Sequence, residues 1–309
     1  MLTIFSIPKP FHGHIGIIQR NAIQSWSRLH ADNEIFLCGD EAGVGETAAE
    51  LKVQWLPHLP RNEYGTPFLD SAFEQVESIS KYRWLCYVNS DIILLRDFIK
   101  AIKRVPFPNF LLAGQRWNLD LTEPWDFAQP DSERRLRNLV TDYGRLEYPW
   151  GIDYFVFLKN GIREKLPPFV VGRPGWDNFF IYRARKHAIP VIDITRAVTV
   201  IHQNHDYSHV PRQVGEFWEG PEADWNRRLI GSWDYVFTLL DATHLMTPQA
   251  VLPARGYKYL YRRFQTLPVF FPRLKPIFQL GRIIKNRLTG LRFDRQEAAT
   301  PVKDPNSAK

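Results

Sequence analysis

The chain is poor in cysteine and has no long uninterrupted apolar stretch. Cys38 and Cys86 are its two cysteines. Each lies inside an apolar, strand-like run, which excludes a disulfide framework or a cysteine zinc site and reads as buried thiols in a reducing compartment. No run of about 18 uncharged apolar residues occurs, so no membrane-spanning helix is predicted. Met1 leads straight into Leu-Thr-Ile-Phe. Without a basic start or a small-residue cleavage site, no secretory signal is predicted there, and a cytoplasmic protein is expected. Acid is scarce at one end. Between Arg255 and Arg295 there are eleven Lys or Arg and one acid, Asp294. The net charge of +7 belongs to that segment, and the rest of the chain is slightly acidic. Such a charge permits nucleotide phosphates, anionic lipid or nucleic acid as partners without choosing among them.

What is present is enough for a large core: 309 residues, 44% of them apolar and 14% aromatic. Leu2–Ile7 reads as a first strand. Ile15–Leu29 has helical periodicity, with Ile15, Ile18, Ala22, Trp26 and Leu29 on one face. Glu34–Cys38 reads as a strand, Val44–Leu51 as a helix and Val53–Leu56 as a strand. Thr66-Pro67 has the form of an N-cap followed by Pro at the first helical position. The helix after it turns Leu69, Ala72, Phe73, Val76 and Ile79 inward. Trp84–Leu95 is apolar on both parities, as a central parallel strand should be. Further along, Phe110–Gly114, Ile152–Leu158 and Val191–Ile201 read as strands, and Ser132–Tyr143 and Pro174–Lys186 as helices. Gln203–Trp233 reads as a long aromatic loop or lid. The alternation predicts an α/β fold, a mostly parallel sheet flanked by helices with right-handed crossovers. In such sheets ligands bind beyond the carboxyl ends of the strands. That rule makes Pro8–His14, Gly39–Glu41 and Asn89–Asp91 neighbours around one crevice.

The run Leu85-Cys86-Tyr87-Val88-Asn89-Ser90-Asp91-Ile92-Ile93-Leu94 carries the chemistry. An apolar strand presents three polar residues and then returns to apolar ones. A buried carboxylate there has to be paired, hydrogen-bonded or metal-bound. The bland alternative is a turn in which Asp91 caps a backbone group. Asn89-Ser90-Asp91 resembles the Asp-X-Asp motif of GT-A glycosyltransferases, the nucleotide-diphospho-sugar transferase superfamily, in a family-2-like form with Asn first. The resemblance covers roughly residues 1–210 and implies a GT-A-like (Rossmann-like) fold. It implies a glycosyltransferase that moves a sugar from a nucleoside diphosphate sugar to an acceptor hydroxyl, with Mn²⁺ or Mg²⁺ on the diphosphate. It places Pro8, at the end of the opening strand, and Asp40, at the end of the second, against the nucleotide. It puts Asn89 and Ser90 on the donor and Asp91 on the metal. It assigns a late histidine, His202 ahead of His205, as a second metal ligand or phosphate contact. Gly175-Trp176-Asp177-Asn178 is similar to the acceptor-side motif whose carboxylate serves as base in inverting members. Asn89 departs from the motif because it brings no charge, so compensation of the metal falls to Asp91 and the diphosphate.

Other readings stay open beside these. Asp177 suits the positive end of a helix as well as it suits catalysis. Trp176 is either a sugar platform or core. Asp153 heads an apolar strand and is a second catalytic candidate, able to bind acceptor or donor sugar. His202, His205 and His209 could also be solvated loop residues. His12-Gly13-His14 is either an anion site at a helix start or a capping turn. Arg20, Arg61 and Arg116 could meet phosphate, and Arg61 ranks first because it follows the third strand. Residues 211–255 are expected as an aromatic lid or extension, and 256–309 as a basic, partly disordered extension. A segment such as Ile277–Leu291 could lie on an anionic bilayer at the inner face of the membrane. That would suit a lipid-linked acceptor, though a glycan or small-molecule acceptor is equally compatible; nucleic acid is not favoured. The rival functions are a non-catalytic carbohydrate or nucleic-acid binding protein and a sugar-1-phosphate nucleotidyltransferase. The latter wants a glycine-rich loop after the first strand, which Ser6-Ile7-Pro8-Lys9-Pro10 lacks.

Overall fold

The computed structural model describes residues 1–162, 164–205 and 218–280. The expected lid residues 206–217, with His209, and the tail from 281 lie outside the described residues. The chain divides into two compact units, Met1–Arg262 and Arg263–Lys309.

The first unit is built on a large sheet whose described strands are β1 (Thr3–Ser6), β2 (Glu34–Cys38), β3 (Gln54–Leu56), β4 (Trp84–Val88), β6 (Leu111–Ala113), β9 (Tyr154–Leu158), β10 (Val191–Asp193), β12 (His244–Met246) and β13 (Val251–Pro253). Their order is β13-β12-β10-β6-β9-β4-β1-β2-β3. Strands β4, β1, β2 and β3 are parallel neighbours, and so are β6, β10 and β12. Strand β9 runs against both β4 and β6, and β13 runs against β12. A smaller sheet joins β5 (Ile92–Leu94), β11 (Val200–Gln203), β7 (Trp117–Leu119) and β8 (Arg145–Leu146) in the order β5-β11-β7-β8.

Both faces of the sheet are buried at its middle, which is why β4 and β9 are apolar throughout. Ile4, Cys86, Val88, Tyr154 and Val156 face a core shared with Ala22 and Trp26 of α1 (Gly13–Ser27) and Phe98 of α4 (Arg96–Lys103). The alternate residues Phe5, Tyr87, Phe155 and Phe157 face the other way. They meet Phe73 of α3 (Leu69–Ile79) and Trp176 and Phe180 of α6 (Trp176–Lys186). Trp176 is therefore core, 5.1 Å from Tyr87 between ring centroids. Cys38 and Cys86 are buried free thiols on strands separated by β1, so they cannot pair.

Helices α2 (Val44–Leu51) and α5 (Ser132–Tyr143) fall where periodicity predicts them. Four features differ. Trp84–Leu95 is two strands in two sheets, because the chain turns at Asn89–Asp91, where the Ile92 N–H donates to the Asn89 carbonyl at 3.1 Å. Val191–Ile201 is likewise split into β10 and β11. Thr66 caps nothing: Pro67 and Phe68 bridge to Arg61 and Val170 as extended chain, so α3 starts two residues later than the cap signal. The segment expected as an aromatic loop contains α7 (Pro221–Ile230), and the sheet runs past the expected boundary at residue 210 because β12 pairs with β10. These short strands carry too few residues for a period to register.

The second unit, in its described part, holds the end of α8 (Tyr257–Phe270) and a single 3₁₀ turn at Pro272–Leu274. Phe264 and Phe278 pack with ring centroids 4.7 Å apart.

Helix α1 holds the 89–91 turn. Trp26, fully buried, donates from Nε1 to the Ile92 carbonyl at 2.8 Å, and the Ser25 hydroxyl accepts from the Leu94 N–H at 3.1 Å. Trp26→Phe keeps most of the packing but leaves the Ile92 carbonyl without this donor. Urea unfolding should show a loss of about 1–3 kcal/mol.

Candidate active site

Three elements meet at the carboxyl ends of β1 and β4. Asp91 lies in the turn after β4 and is 7% exposed. β11 lies antiparallel to β5 with His202 opposite Ile92, so the strand pairing itself sets a histidine beside Asp91. His202 Nε2 is 3.9 Å, and His205 Nε2 3.1 Å, from Asp91 Oδ2. From the end of β1, Lys9 brings Nζ to 3.9 Å from Asp91 Oδ2 and 3.3 Å from His205 Nε2. Gln203, next to His202, donates from its backbone and its side chain to the Asp91 carbonyl at 3.2 and 3.1 Å.

The ionisation states follow from burial and charge. Burial disfavours ionised Asp91, but His202, His205 and Lys9 outweigh it and hold the carboxyl far below the ordinary carboxylate range. Burial, reinforced by Arg116, pushes His202 down to about 3, against the pull of Asp91. Burial also lowers Lys9, against the pull of Asp91.

These residues fit a divalent cation. One carboxylate oxygen and two imidazole nitrogens lie within 4.8 Å of one another. Asp91 Oδ1 and His202 Nδ1 are buried without a hydrogen-bond partner. His205 Nε2 faces an acceptor, Asp91, and a donor, Lys9; neither tautomer lets that one nitrogen serve both. A metal would take the lone pair of a neutral ring nitrogen.

A second cluster adjoins this one. Asp153, just before β9, pairs closely with Arg116 through Oδ2 and accepts from Asn89 Nδ2 at 2.7 Å through Oδ1. Both oxygens of Asp153, the second catalytic candidate of the sequence, are engaged here with Asn89 and Arg116. Arg116 also lies 3.7 Å from Glu147 and accepts no surface role: it acts electrostatically on both His202 and Asp177. Ser90 is buried and donates to Gln19 at 2.7 Å, and Gln19 in turn bonds both backbone groups of Lys9. Ser90 thus supports the Lys9 segment from inside, where the resemblance would have it face the donor. A cleft of about 280 Å³ is lined in part by Asn118, Asp120, Arg145 and Asn204, the residue before His205.

Asp177 stands in the first turn of α6, which starts at Gly175. Gly175 has φ +96°, and a Cβ there would come within 2.5 Å of Ile230 Cδ1, so only glycine starts the helix at this point. Burial pushes the Asp177 carboxyl up to about 6, while first-turn backbone groups and Arg116 pull the other way. The expected Pro at the first helical position is one residue outside the cap.

At the far rim, Asp40 after β2 is tied to Arg61, which also donates to Glu41 at 2.7 Å. Arg61 is committed to these carboxylates, in place of the phosphate expected for it. Pro8 is buried between β1 and Lys9. His14 contacts the Asn204 carbonyl at 3.1 Å, tying the start of α1 to β11. Sequence reading assigned no role to Lys9, Gln19, Glu147 or Asn118. Lys9 had a signal, a lone charge just past an apolar strand; the others had none.

No protein-family model matches the chain, and no curated protein sequence matches it. Solved structures do. Staphylococcus aureus TarS, residues 1–349 in complex with UDP-GlcNAc, is similar at 11% identity and TM-score 0.49, over 96% of this chain and 78% of that one. Mycobacterium tuberculosis glucosyl-3-phosphoglycerate synthase is similar at 12% identity and TM-score 0.41, over 69% and 74%. A Pyrobaculum calidifontis mannosyltransferase in complex with GDP-Man and Mn²⁺ is similar at 12% identity and TM-score 0.42, over 67% and 58%. The fold is α/β: a mostly parallel sheet flanked by helices, with β9 reversed at its centre.

The Asp177 carboxyl, raised from 3.8 to about 6, has a thermodynamic signature. Between these values the folded state holds a proton that the unfolded chain has released, so this group's contribution to stability falls as pH rises through the window. Asp177→Asn, which cannot ionise, should be more stable than the wild type at pH 7.5 by on the order of 1–3 kcal/mol. Urea unfolding at both pH extremes checks this, and the difference should shrink towards zero near pH 4.

Proposed function

We propose that the protein is a metal-dependent glycosyltransferase, family-2-like, moving a sugar from a nucleoside diphosphate sugar to an acceptor hydroxyl. The observation that carries this reading is the Asp91–His202–His205 triad, with Lys9 beside it, at the carboxyl ends of β1 and β4. Ligands of mostly parallel sheets lie at that edge. Asp91, His202 and His205 would hold the cation, which supplies Lewis-acid stabilisation to the charge growing on the leaving diphosphate. Two imidazoles suit Mn²⁺ better than Mg²⁺, which prefers an all-oxygen shell. Lys9 adds a second positive charge next to the cation. Asp177, ionised above about pH 6, takes the proton of the acceptor hydroxyl if the reaction inverts and orients the acceptor if it retains. Asp40, at the end of β2, would meet the base or ribose.

Nucleoside diphosphate release from a panel of nucleotide sugars, with and without Mn²⁺, tests the reading. Release should require the metal, with Mn²⁺ ahead of Mg²⁺. Asp91→Ala should abolish metal-dependent release and nucleotide binding. Asp177→Asn should lower kcat by about 10²–10⁴-fold with donor binding intact. Metal-independent nucleotide binding that survives Asp91→Ala would sink the proposal.

A second feature favours a setting at a membrane. Among the described residues from Arg255 to Leu280 there are six Lys or Arg and no acid, and Tyr257, Phe264, Phe271, Ile277 and Leu280 are exposed. Aromatic and basic side chains together suit an anionic lipid surface, and we read the protein as cytoplasmic and peripheral on the inner face of the membrane. No helix of the described residues is long and apolar enough to cross one. Phe264→Glu with Phe271→Glu should reduce co-sedimentation with phosphatidylglycerol vesicles by about tenfold or more. Unchanged binding would end the membrane reading and leave the enzyme reading untouched.

A further inference from the structure

The turn 147–151, between β8 and β9, is held from two sides. The Glu147 N–H donates to the Arg116 carbonyl at 2.9 Å, and Glu147 Oε2 accepts from Asn118 at 2.7 Å. Within the turn the Gly151 N–H donates to the Tyr148 carbonyl at 3.1 Å. The Pro149 carbonyl accepts from the Leu239 N–H at 3.0 Å, and the Trp150 carbonyl from the Asn178 side chain at 3.5 Å. Yet the two large rings on this anchored turn stand in solvent, Tyr148 at 63% exposure and Trp150 at 47%. They stack with centroids 4.6 Å apart and planes 5° from parallel.

Scattered exposed apolar residues are ordinary. Two parallel, stacked rings on a turn anchored at both ends are not scattered; the stack presents an outer aromatic face of fixed orientation. Their position is specific. Asn178, which binds the Trp150 carbonyl, follows Asp177, and Glu147 at the other end faces Arg116, the partner of Asp153. The stack stands at the rim of the candidate site, on the side that carries Asp177. Its surroundings are hydrogen-bonding groups, a setting for a ligand with one apolar face and a polar edge. A saccharide ring has that form.

We infer that Tyr148 and Trp150 form the acceptor platform: a sugar ring lies with its C–H face on the aromatic stack and presents a hydroxyl towards the Asp177 side. The acceptor is thereby a glycan or a glycosylated molecule. Its role as acceptor rests on the glycosyltransferase reading; saccharide binding at the stack does not.

The test titrates the full chain with short gluco-, manno- and N-acetylglucosamine oligosaccharides, by calorimetry or saturation-transfer NMR. UDP and GDP binding in the presence of Mn²⁺ is measured on the same samples. At least one oligosaccharide should bind. Trp150→Ala and the double variant Tyr148→Ala with Trp150→Ala should weaken it by about tenfold or more, a loss of about 1.4 kcal/mol. Trp150→Phe should retain most of the affinity, because a ring face remains. Melting temperatures should be unchanged, since the rings are exposed, and nucleotide binding should be the same in all variants. No saccharide binding, or equal affinity in the double variant, overturns the platform, whatever the nucleotide result. Loss of metal-dependent nucleotide binding in the wild type, with saccharide binding still dependent on Trp150, overturns the glycosyltransferase reading and leaves the platform standing.

Discussion

An ionised carboxylate at 7% exposure needs charge and hydrogen bonds supplied from outside its own strand, and Asp91 draws them from distant parts of the chain. Lys9 comes from the end of β1, and His202 and His205 come from β11 and just after it. The smaller sheet makes this possible. Once the chain breaks from β4 into β5, β5 can pair with β11, and the register His202↔Ile92 fixes a histidine one residue from Asp91. Trp26 and Ser25 of α1 hold the break in place. The turn, the second sheet and the face of α1 that reaches it form one device for keeping a buried anion ionised and directed at a ligand.

The same economy explains Asn89. Where the resembling motif has a first acid, Asn89 donates to Asp153 at 2.7 Å. A carboxylate at 89 would meet a second carboxylate there, and the pair would resist joint ionisation. The negative charge has in effect moved from position 89 to Asp153, where Arg116 neutralises it. Arg116 links this cluster to His202, which it depresses, and to Asp177, on whose carboxyl it also acts. A surface-like arginine in the sequence becomes the electrostatic hinge of the site, because β7 and β9 bring Arg116 and Asp153 together from 37 residues apart.

Much of the frame was legible where local pattern and burial agree. Strand β2 and helices α2 and α5 have the boundaries their periodicity predicts. The Asp91 run stood out because polar residues inside an apolar strand are costly to bury, and the strand-end rule placed it beside the end of β1. What misled was continuity of composition. Trp84–Leu95 is apolar almost throughout, yet it changes sheets at Asn89–Asp91. Trp176 carries the ring a sugar platform wants, but its neighbours Tyr87, Phe73 and Phe155 bury it. The exposed aromatic face is instead at Tyr148 and Trp150, which no periodicity separates from core aromatics.

The sequence by itself determined the α/β alternation, the identity of the buried carboxylate and the presence of late histidines near a strand end. Those are properties of residue type and spacing along one stretch of chain. Only the tertiary structure decided that Lys9 stands next to Asp91, that Asp153 is engaged with Asn89 and Arg116, and that Ser90 turns inward to Gln19. Each of these is a contact between segments far apart in sequence, set by strand order and register, and such contacts leave no local periodicity to read.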